Sequence, residues 1–462
     1  MGMKQERTDL FRRAFELGAN YDRQKFDRPP RTGVSRDELL SSLGGPTPEN
    51  GLSELDALEA LVKAAEPGLQ VSTGARFMGW VVGGSHPVGM AADWLTSVWG
   101  QNCANYECSP AASVSEDVTA DWLKDLLSLP EECSVGFTTG ATMANFTALA
   151  AARSEMLHRI GWNVELDGLQ GAPRLRILIG DEAHTTVFTA LSLLGFGRNQ
   201  VKRVSTDDQG RMRVDALKES LEESDTAAIV IAQAGQINTG AMDPFKAILS
   251  LLKDRNAWLH VDGAFGLWAL ACPQLRSQLD GVDGADSWAT DGHKWLQVPY
   301  DAGFVFVRHA EAHRRAMATP ASYLPVQSDI RDPSHYVPEL SRRSRAFAVW
   351  AIIKTLGREG ISEMIIRHCH LAKRLAQQLS QVPGIEILNQ VSLNQVIVGF
   401  GDDEQCGKMI ESLARENRYL LGGATWHDRK VLRISIISWF IDEAEIDGLA
   451  EDIIRLWREL DA

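Results

Sequence analysis

Apolar residues recur at helical spacing over residues 8–19 (Leu10, Phe11, Ala14, Phe15) and 53–65 (Leu55, Ala57, Leu58, Leu61, Val62), joined by a polar stretch containing Pro29, Pro30, Pro46 and Pro48. Such a front end cannot close a core of its own and is expected to pack on another surface, such as a second subunit. A glycine- and aromatic-rich stretch then runs from Phe77 through Trp80, Gly83, Gly84 and His86, ahead of helices over 90–99 and 117–129. Beyond Pro130 the pattern changes. Short continuous apolar runs at 135–138, 175–180, 201–204, 228–232, 258–261 and 302–307 alternate with helical segments over about 141–152, 214–221 and 244–254. Runs of this length between helices predict a mostly parallel sheet with helices on both faces.

Residues 319–341, with Pro320, Pro325, Pro333 and Pro338, form a long polar segment of little periodicity and are expected to be a functional, mobile loop. Helices resume over 345–356 and 362–379. Strands at 385–388 and 395–400, a helix over 404–417, an alternating strand at 431–436 and a terminal helix from 442 follow. This α+β order predicts a separate unit. The expected division is an N-terminal helical segment (1–75), a large α/β domain (76–344) and a small C-terminal domain (345–462).

Composition narrows the function. Lys and Arg number 47 against 61 Asp and Glu, a net charge of -14, and no basic run with interleaved aromatics occurs, which argues against a nucleic-acid partner. No apolar stretch approaches the roughly 20 residues that span a bilayer, and the charged start leads into no signal-peptide core, so a cytoplasmic protein is expected. The six cysteines, at 103, 108, 133, 272, 369 and 406, contain no Cys-x-x-Cys pair, so neither a disulfide framework nor a zinc site is expected. A metal pair of His260 and Asp262 lacks further ligands at matching spacing.

The candidate chemistry sits at strand ends. In the run 258–264, Asp262 closes an apolar strand, where a parallel sheet delivers side chains to a ligand. In the run 286–296, Lys294 stands among apolar neighbours. A buried aspartate needs a cation and a buried lysine needs a reason. Pyridoxal phosphate supplies both, taking the lysine as a Schiff base and the aspartate as partner to its ring nitrogen. Gly140, Ala141 and Thr142 open a helix whose first amides can hold a phosphate, although a plain cap made by Thr139 or Thr142 explains the same turn. Thr142, His184, Asn238 and Asp262 all fall at predicted strand ends and are expected to converge.

With Gly140-Ala141-Thr142, His184, His260-Val261-Asp262-Gly263-Ala264 and Asp291-Gly292-His293-Lys294-Trp295 in one order, the chain resembles the group II pyridoxal-phosphate decarboxylases, the family of aromatic-L-amino-acid, histidine and glutamate decarboxylases. The resemblance implies a fold-type I transferase fold with a seven-stranded sheet, a pyridoxal 5'-phosphate cofactor, and a homodimer with active sites at its interface. It implies that Gly140, Ala141 and Thr142 form the phosphate turn, that His184 stacks on the ring, that Asp262 meets the ring nitrogen, that His293 lies on the phosphate side and that Lys294 is the Schiff-base lysine. Asn238, Ala264 and Asp291 complete the expected cofactor shell. Phe77, Trp80 and His86 are expected to line the substrate pocket, favouring an aromatic or apolar amino acid. Arg433 is a candidate for a carboxylate, with a structural role as the alternative.

Two departures stand out. The family's loop tyrosine is replaced by Pro333, with Tyr336 or Tyr323 as candidate substitutes, and this opens an aldehyde-forming or carbon-carbon bond-forming outcome beside decarboxylation. Asp291 replaces an asparagine common in the aromatic type, and a carboxylate near a phosphate is unfavourable unless turned away. A non-catalytic protein that kept the fold is a further alternative. A nicotinamide-dependent oxidoreductase is disfavoured by the absence of the glycine fingerprint.

Overall fold

The computed structural model describes residues 2–318 and 330–461, so Tyr323 and the first part of the 319–341 segment lie outside the described residues. The six apolar runs of the middle region form β1 (Ser134–Thr138), β2 (Arg176–Gly180), β3 (Val201–Val204), β4 (Ala228–Gln233), β5 (Ala257–Asp262) and β7 (Gly303–Val307), and the mixed stretch Ser287–Asp291, not among the predicted strands, adds β6. They assemble in the order β1-β7-β6-β5-β4-β2-β3. β7 is antiparallel to both its neighbours, and the other four pairings are parallel. Every residue of β4, β6 and β7 is buried, as continuous apolar runs require when helices cover both faces. The carboxyl ends of β1, β2, β4, β5 and β6 therefore share one edge of the sheet. Gly140, His184, Asn238, Asp262 and Lys294 each lie at or just beyond one of those ends.

At the front, α1 (Gly2–Gln24), α2 (Arg36–Leu43) and α3 (Glu54–Ala65) precede α4 (Pro87–Trp99), α5 (Pro110–Leu126) and α6 (Ala141–His158). The proline-containing linker was expected to be irregular, yet it holds α2. Ser35 and Glu38 close a capping box there, with the Ser35 amide donating to Glu38 at 2.7 Å. Neither α2 nor α3 buries a residue, and Phe11, Phe15, Leu55 and Leu61 remain exposed, consistent with a front end that has no core of its own.

A second, antiparallel sheet takes the order β10-β11-β9-β8, from β8 (Ile385–Ile387), β9 (Gln395–Phe400), β10 (Gly422–Trp426) and β11 (Arg429–Ser435). The sequence pattern missed β10 because its Gly422-Gly423 start has little strand preference. A tight hairpin creates it: His427 and Asp428 both take positive φ (47° and 60°), the twist that a two-residue turn needs. The two helices expected over 345–379 form one element, Ala346–Leu379, broken where Gly357 leaves helical geometry (φ 61°, ψ -174°). The strip around Met78 adds to the second sheet, donating its amide to the Leu420 carbonyl at 2.8 Å and accepting from Ser435 at 2.9 Å. The glycine-rich stretch that follows thus starts on one sheet and ends over the other.

The chain beyond residue 330 is anchored by a buried ion pair. Arg342 donates to Glu116 of α5 through two bonds of 2.5 and 2.9 Å, and Glu116 is 0% exposed. Removing one partner strands the other charge in the interior. Glu116→Gln is expected to cost about 3–5 kcal/mol, read as a lower urea midpoint; an unchanged midpoint would show that water reaches the pair.

Candidate active site

Asp262 closes β5 with its side chain turned inward, and it is 5% exposed. Its Oδ1 accepts from the Ala264 amide at 3.2 Å, and the Ala264 carbonyl accepts from the Asp291 amide at 2.9 Å, so the ends of β5 and β6 are laced together. Burial pushes the Asp262 carboxyl above its ordinary range, and the charges of His184 and Lys294 pull it back. An anion buried here is stabilised only by a cation or a strong donor facing it.

Lys294 follows β6 in a turn, its side chain 16% exposed, with Nζ 3.0 Å from Asp291 Oδ2. The other Asp291 oxygen accepts from the Ala141 amide, the first of α6, at 2.5 Å, and lies 3.4 Å from His293 Nε2. The carboxylate is therefore turned toward the helix mouth, contrary to the orientation that a neighbouring phosphate would favour. The plain threonine cap is not formed: Gly140 is the cap residue, without a side-chain bond, and neither Thr139 nor Thr142 caps the helix. A Cβ on Gly140 would stand 2.9 Å from the His293 ring and 3.2 Å from Asp291, so glycine is required for that approach. Thr142 is half-buried on the first turn of α6.

His184 caps the helix Thr185–Leu193. Its Nδ1 lies 2.7 Å from the Thr186 hydroxyl and accepts from the Thr186 amide at 3.4 Å, which leaves Nε2 as the free edge. Burial lowers its pKa, opposed by Asp262 and reinforced by Lys294 and Arg433. These charges thus share one neighbourhood, into which β11 delivers Arg433. The guanidinium is half-buried and donates to the Ile237 carbonyl at 3.3 Å, beside the Asn238 turn. Asn238 is engaged through its backbone, whose amide donates to Gln236 Oε1 at 2.6 Å. His293 stacks on Tyr300, with ring centroids 4.3 Å apart, and accepts from the Ala302 amide at 3.2 Å.

Of the expected pocket residues, Phe77 and His86 are buried and Trp80 is 62% exposed, its ring tilted over Phe77 at 5.8 Å. His86 caps α4 and packs edge-on to Trp439 at 4.5 Å. Tyr336 does not join them. Its ring lies against His313, which bonds Ser134 at 2.8 Å, and beneath Arg331, placing it toward the start of β1, the end remote from Gly140. The three-residue offset from Pro333 puts Tyr336 in a 3-10 turn (Pro333–Tyr336) packed on that strand, so it cannot line this chain's own pocket.

Sequence reasoning missed Asn145, one helical turn after Ala141. It is fully buried close to Asp262, and its amide nitrogen makes no hydrogen bond among the described residues. His260 Nε2 donates to Asn145 Oδ1 at 2.8 Å, and Ser287 engages His260 Nδ1 at 2.9 Å, so His260 orients the asparagine. The helical offset of four from Ala141 was the available signal. Tyr300 was also missed; it stays 55% exposed while its ring stacks on His293.

His260, His313 and His368 are each fully buried, and burial pushes each down to about 3. Their folded values lie below the unfolded value near 6.5, so the unfolded chain binds more protons between those limits. Stability is complete above about pH 6.5 and falls below it by up to about 1.4 kcal/mol per pH unit for each histidine. Urea midpoints are expected to hold from pH 7.5 to about pH 6.5 and to fall steadily from there to pH 5; a series flat throughout would contradict neutral burial.

The site suits pyridoxal phosphate in its donor set: a helix mouth opened by Gly140, a buried carboxylate, a capping histidine with one free edge and a lysine on the same rim. The Asp291 carboxylate on the Ala141 amide is the one group a phosphate would have to share or displace. Comparison with known proteins agrees. The chain spans 94% of its length in alignment with aromatic-L-amino-acid decarboxylase of Bacillus atrophaeus, at 27% identity and covering 92% of that protein. It also aligns with 4-hydroxyphenylacetaldehyde synthase of Rhodiola rosea at 26% identity over 91% of this chain and 89% of that protein. A solved structure of Oryza sativa TDC with PLP and tryptamine superposes with a TM-score of 0.93 at 22% identity, covering 99% of this chain and 98% of that one. The family model described as the pyridoxal-dependent decarboxylase conserved domain matches residues 41–400. With that match laid over this sheet edge, the chain belongs to the pyridoxal-dependent decarboxylase family and is an enzyme that works with pyridoxal phosphate.

Proposed function

We propose that the protein decarboxylates an L-amino acid with an aromatic or apolar side chain, with Lys294 as the residue that carries the cofactor. The observation that bears most weight is the burial of Asp262 within the same electrostatic neighbourhood as His184 and Lys294. When bound, pyridoxal phosphate supplies an aldehyde for the substrate's amino group and a protonated ring that takes up the electron pair left at Cα. Asp262 holds a proton on the ring nitrogen, since an anion at about 4–6 Å raises such a pKa by roughly one to three units. His184 would stack on the cofactor ring and, with Nδ1 held by Thr186, would leave Nε2 to hold or pass a proton. Gly140, Ala141, Thr142 and His293 receive the phosphate, and Ala264 and Asn238 close the rim. Arg433, anchored on the Ile237 carbonyl, is placed for a substrate carboxylate. Phe77 and the His86–Trp439 pair give an aromatic wall, which favours an apolar ring as substrate.

One observation favours a second reading. With Pro333 in place of the loop tyrosine and Tyr336 turned away, this chain offers no tyrosine from that turn to return a proton to Cα, and the relatives include a 4-hydroxyphenylacetaldehyde synthase. The deciding assay follows products from aromatic amino acids in air. Decarboxylation yields carbon dioxide and amine in equal amounts. Decarboxylation coupled to oxidative deamination consumes one oxygen and one water and yields carbon dioxide, aldehyde, ammonia and hydrogen peroxide. Amine without peroxide supports the first reading; peroxide matching carbon dioxide overturns it.

A homodimer with active sites at its interface belongs to the same proposal. It is supported by exposed apolar residues on α1 and α4, Phe11, Phe15, Trp94, Leu95 and Trp99, which a second subunit would cover.

A further inference from the structure

Gln297 lies three residues past Lys294, fully buried and with φ 60°, in a left-handed conformation that a non-glycine residue adopts only when its surroundings hold it there. Its side chain saturates its hydrogen-bonding capacity across three segments. Oε1 accepts from the Gly84 amide at 2.6 Å and from the Trp439 amide at 3.0 Å. Nε2 donates to the Ile437 carbonyl at 2.7 Å and to the Lys294 carbonyl at 3.2 Å. The backbone carbonyl of Gln297 accepts from the His86 amide at 2.8 Å. One residue thus ties the turn that carries Lys294 to both strips whose rings, His86 and Trp439, meet at 4.5 Å.

The seam has no slack. A Cβ on Gly83 would fall 2.3 Å from the Lys294 carbonyl, and one on Gly84 would fall 2.5 Å from Ser438 Oγ and 2.7 Å from the Trp439 amide. The two strips therefore approach as backbone, and among the described residues Gln297 is the side chain inserted between them and the lysine turn that satisfies both amides. Lys294 itself has separate restraints. Asp291 holds its Nζ, and the Val298 amide closes the turn on the Gly292 carbonyl at 3.0 Å. Loss of the Gln297 amide would release the wall while leaving the lysine in place.

We propose that Gln297 is a positioning residue that sets the spacing of the substrate wall, the strips carrying His86 and Trp439, against the lysine turn. The inference rests on the reading of that wall as the substrate side of the site. The test has two parts. In the wild-type holoenzyme, hydrogen exchange at the Gly84 and Trp439 amides is expected to be slow and matched, because one oxygen holds both. In Gln297→Met, which keeps length and volume but neither donor nor acceptor, both amides are expected to exchange about a hundredfold faster. The variant's KM for the preferred amino acid is expected to rise about tenfold with kcat within about threefold, the signature of lost binding rather than lost chemistry. Free exchange of either amide in the wild type overturns the proposal, as does a kcat loss at constant KM. Should Gln297→Met fail to fold, the wild-type exchange decides alone. Should no amino acid be turned over, the functional reading fails while the exchange result stands independently.

Discussion

Lys294→Ala is expected to lose the visible absorbance of bound cofactor and to lower turnover by at least about a thousandfold, the scale seen when a covalent residue is removed from a site that otherwise still binds. The structural argument is positional. Asp291 holds the Lys294 amine at 3.0 Å at the end of β6, one strand from the Asp262 terminus of β5 and within the field of His184. The Lys294 charge acts on both Asp262 and His184. Alanine leaves the strand and the turn untouched, because the backbone bonds of the turn do not use the side chain. Far-ultraviolet circular dichroism is thus expected to match the wild type while activity disappears. A variant that kept its absorbance and its turnover would place the covalent residue elsewhere.

Asp262→Asn is the second large effect. The amide is nearly isosteric and can still accept from Ala264, so packing survives while the charge goes. Turnover is expected to fall by about a hundred- to ten-thousandfold, the range found when a group stabilising developing charge is removed. The loss has a direction in pH. Without the anion, the ring nitrogen gives up its proton one to three units lower, so residual activity in the variant is expected to rise toward acid relative to wild type. Activity ratios across pH 5.5–8 would show it; a uniform loss at every pH would mean that Asp262 acts through shape alone.

Much of this was legible in the sequence, because parallel strands announce themselves as continuous apolar runs and deliver whatever follows them to a single edge. Asp262 and Lys294 were found that way, and the register pairing Asp262 with Ala289 on the adjacent strand brings them to the same rim. Residues whose partners are distant in sequence were not legible. Asn145 reads as one more small polar residue on an alanine-rich helix until His260 and Asp262 are seen on either side of it. Gln297 reads as a turn residue, since nothing in its neighbours announces contacts with residues 84 and 439. Asp291 was placed correctly in the neighbourhood, but its orientation depends on the Ala141 amide across the sheet, which no local pattern encodes. Tyr336 was assigned by offset from Pro333, and packing on His313 and Arg331 overrode the offset.

The most direct test of the central claim is to reduce the wild-type holoenzyme with borohydride, digest it and locate the pyridoxyl group by mass spectrometry. The account predicts one modified peptide, carrying the label on Lys294. Label on any other lysine, or a reduced protein whose cofactor dialyses away, would contradict it.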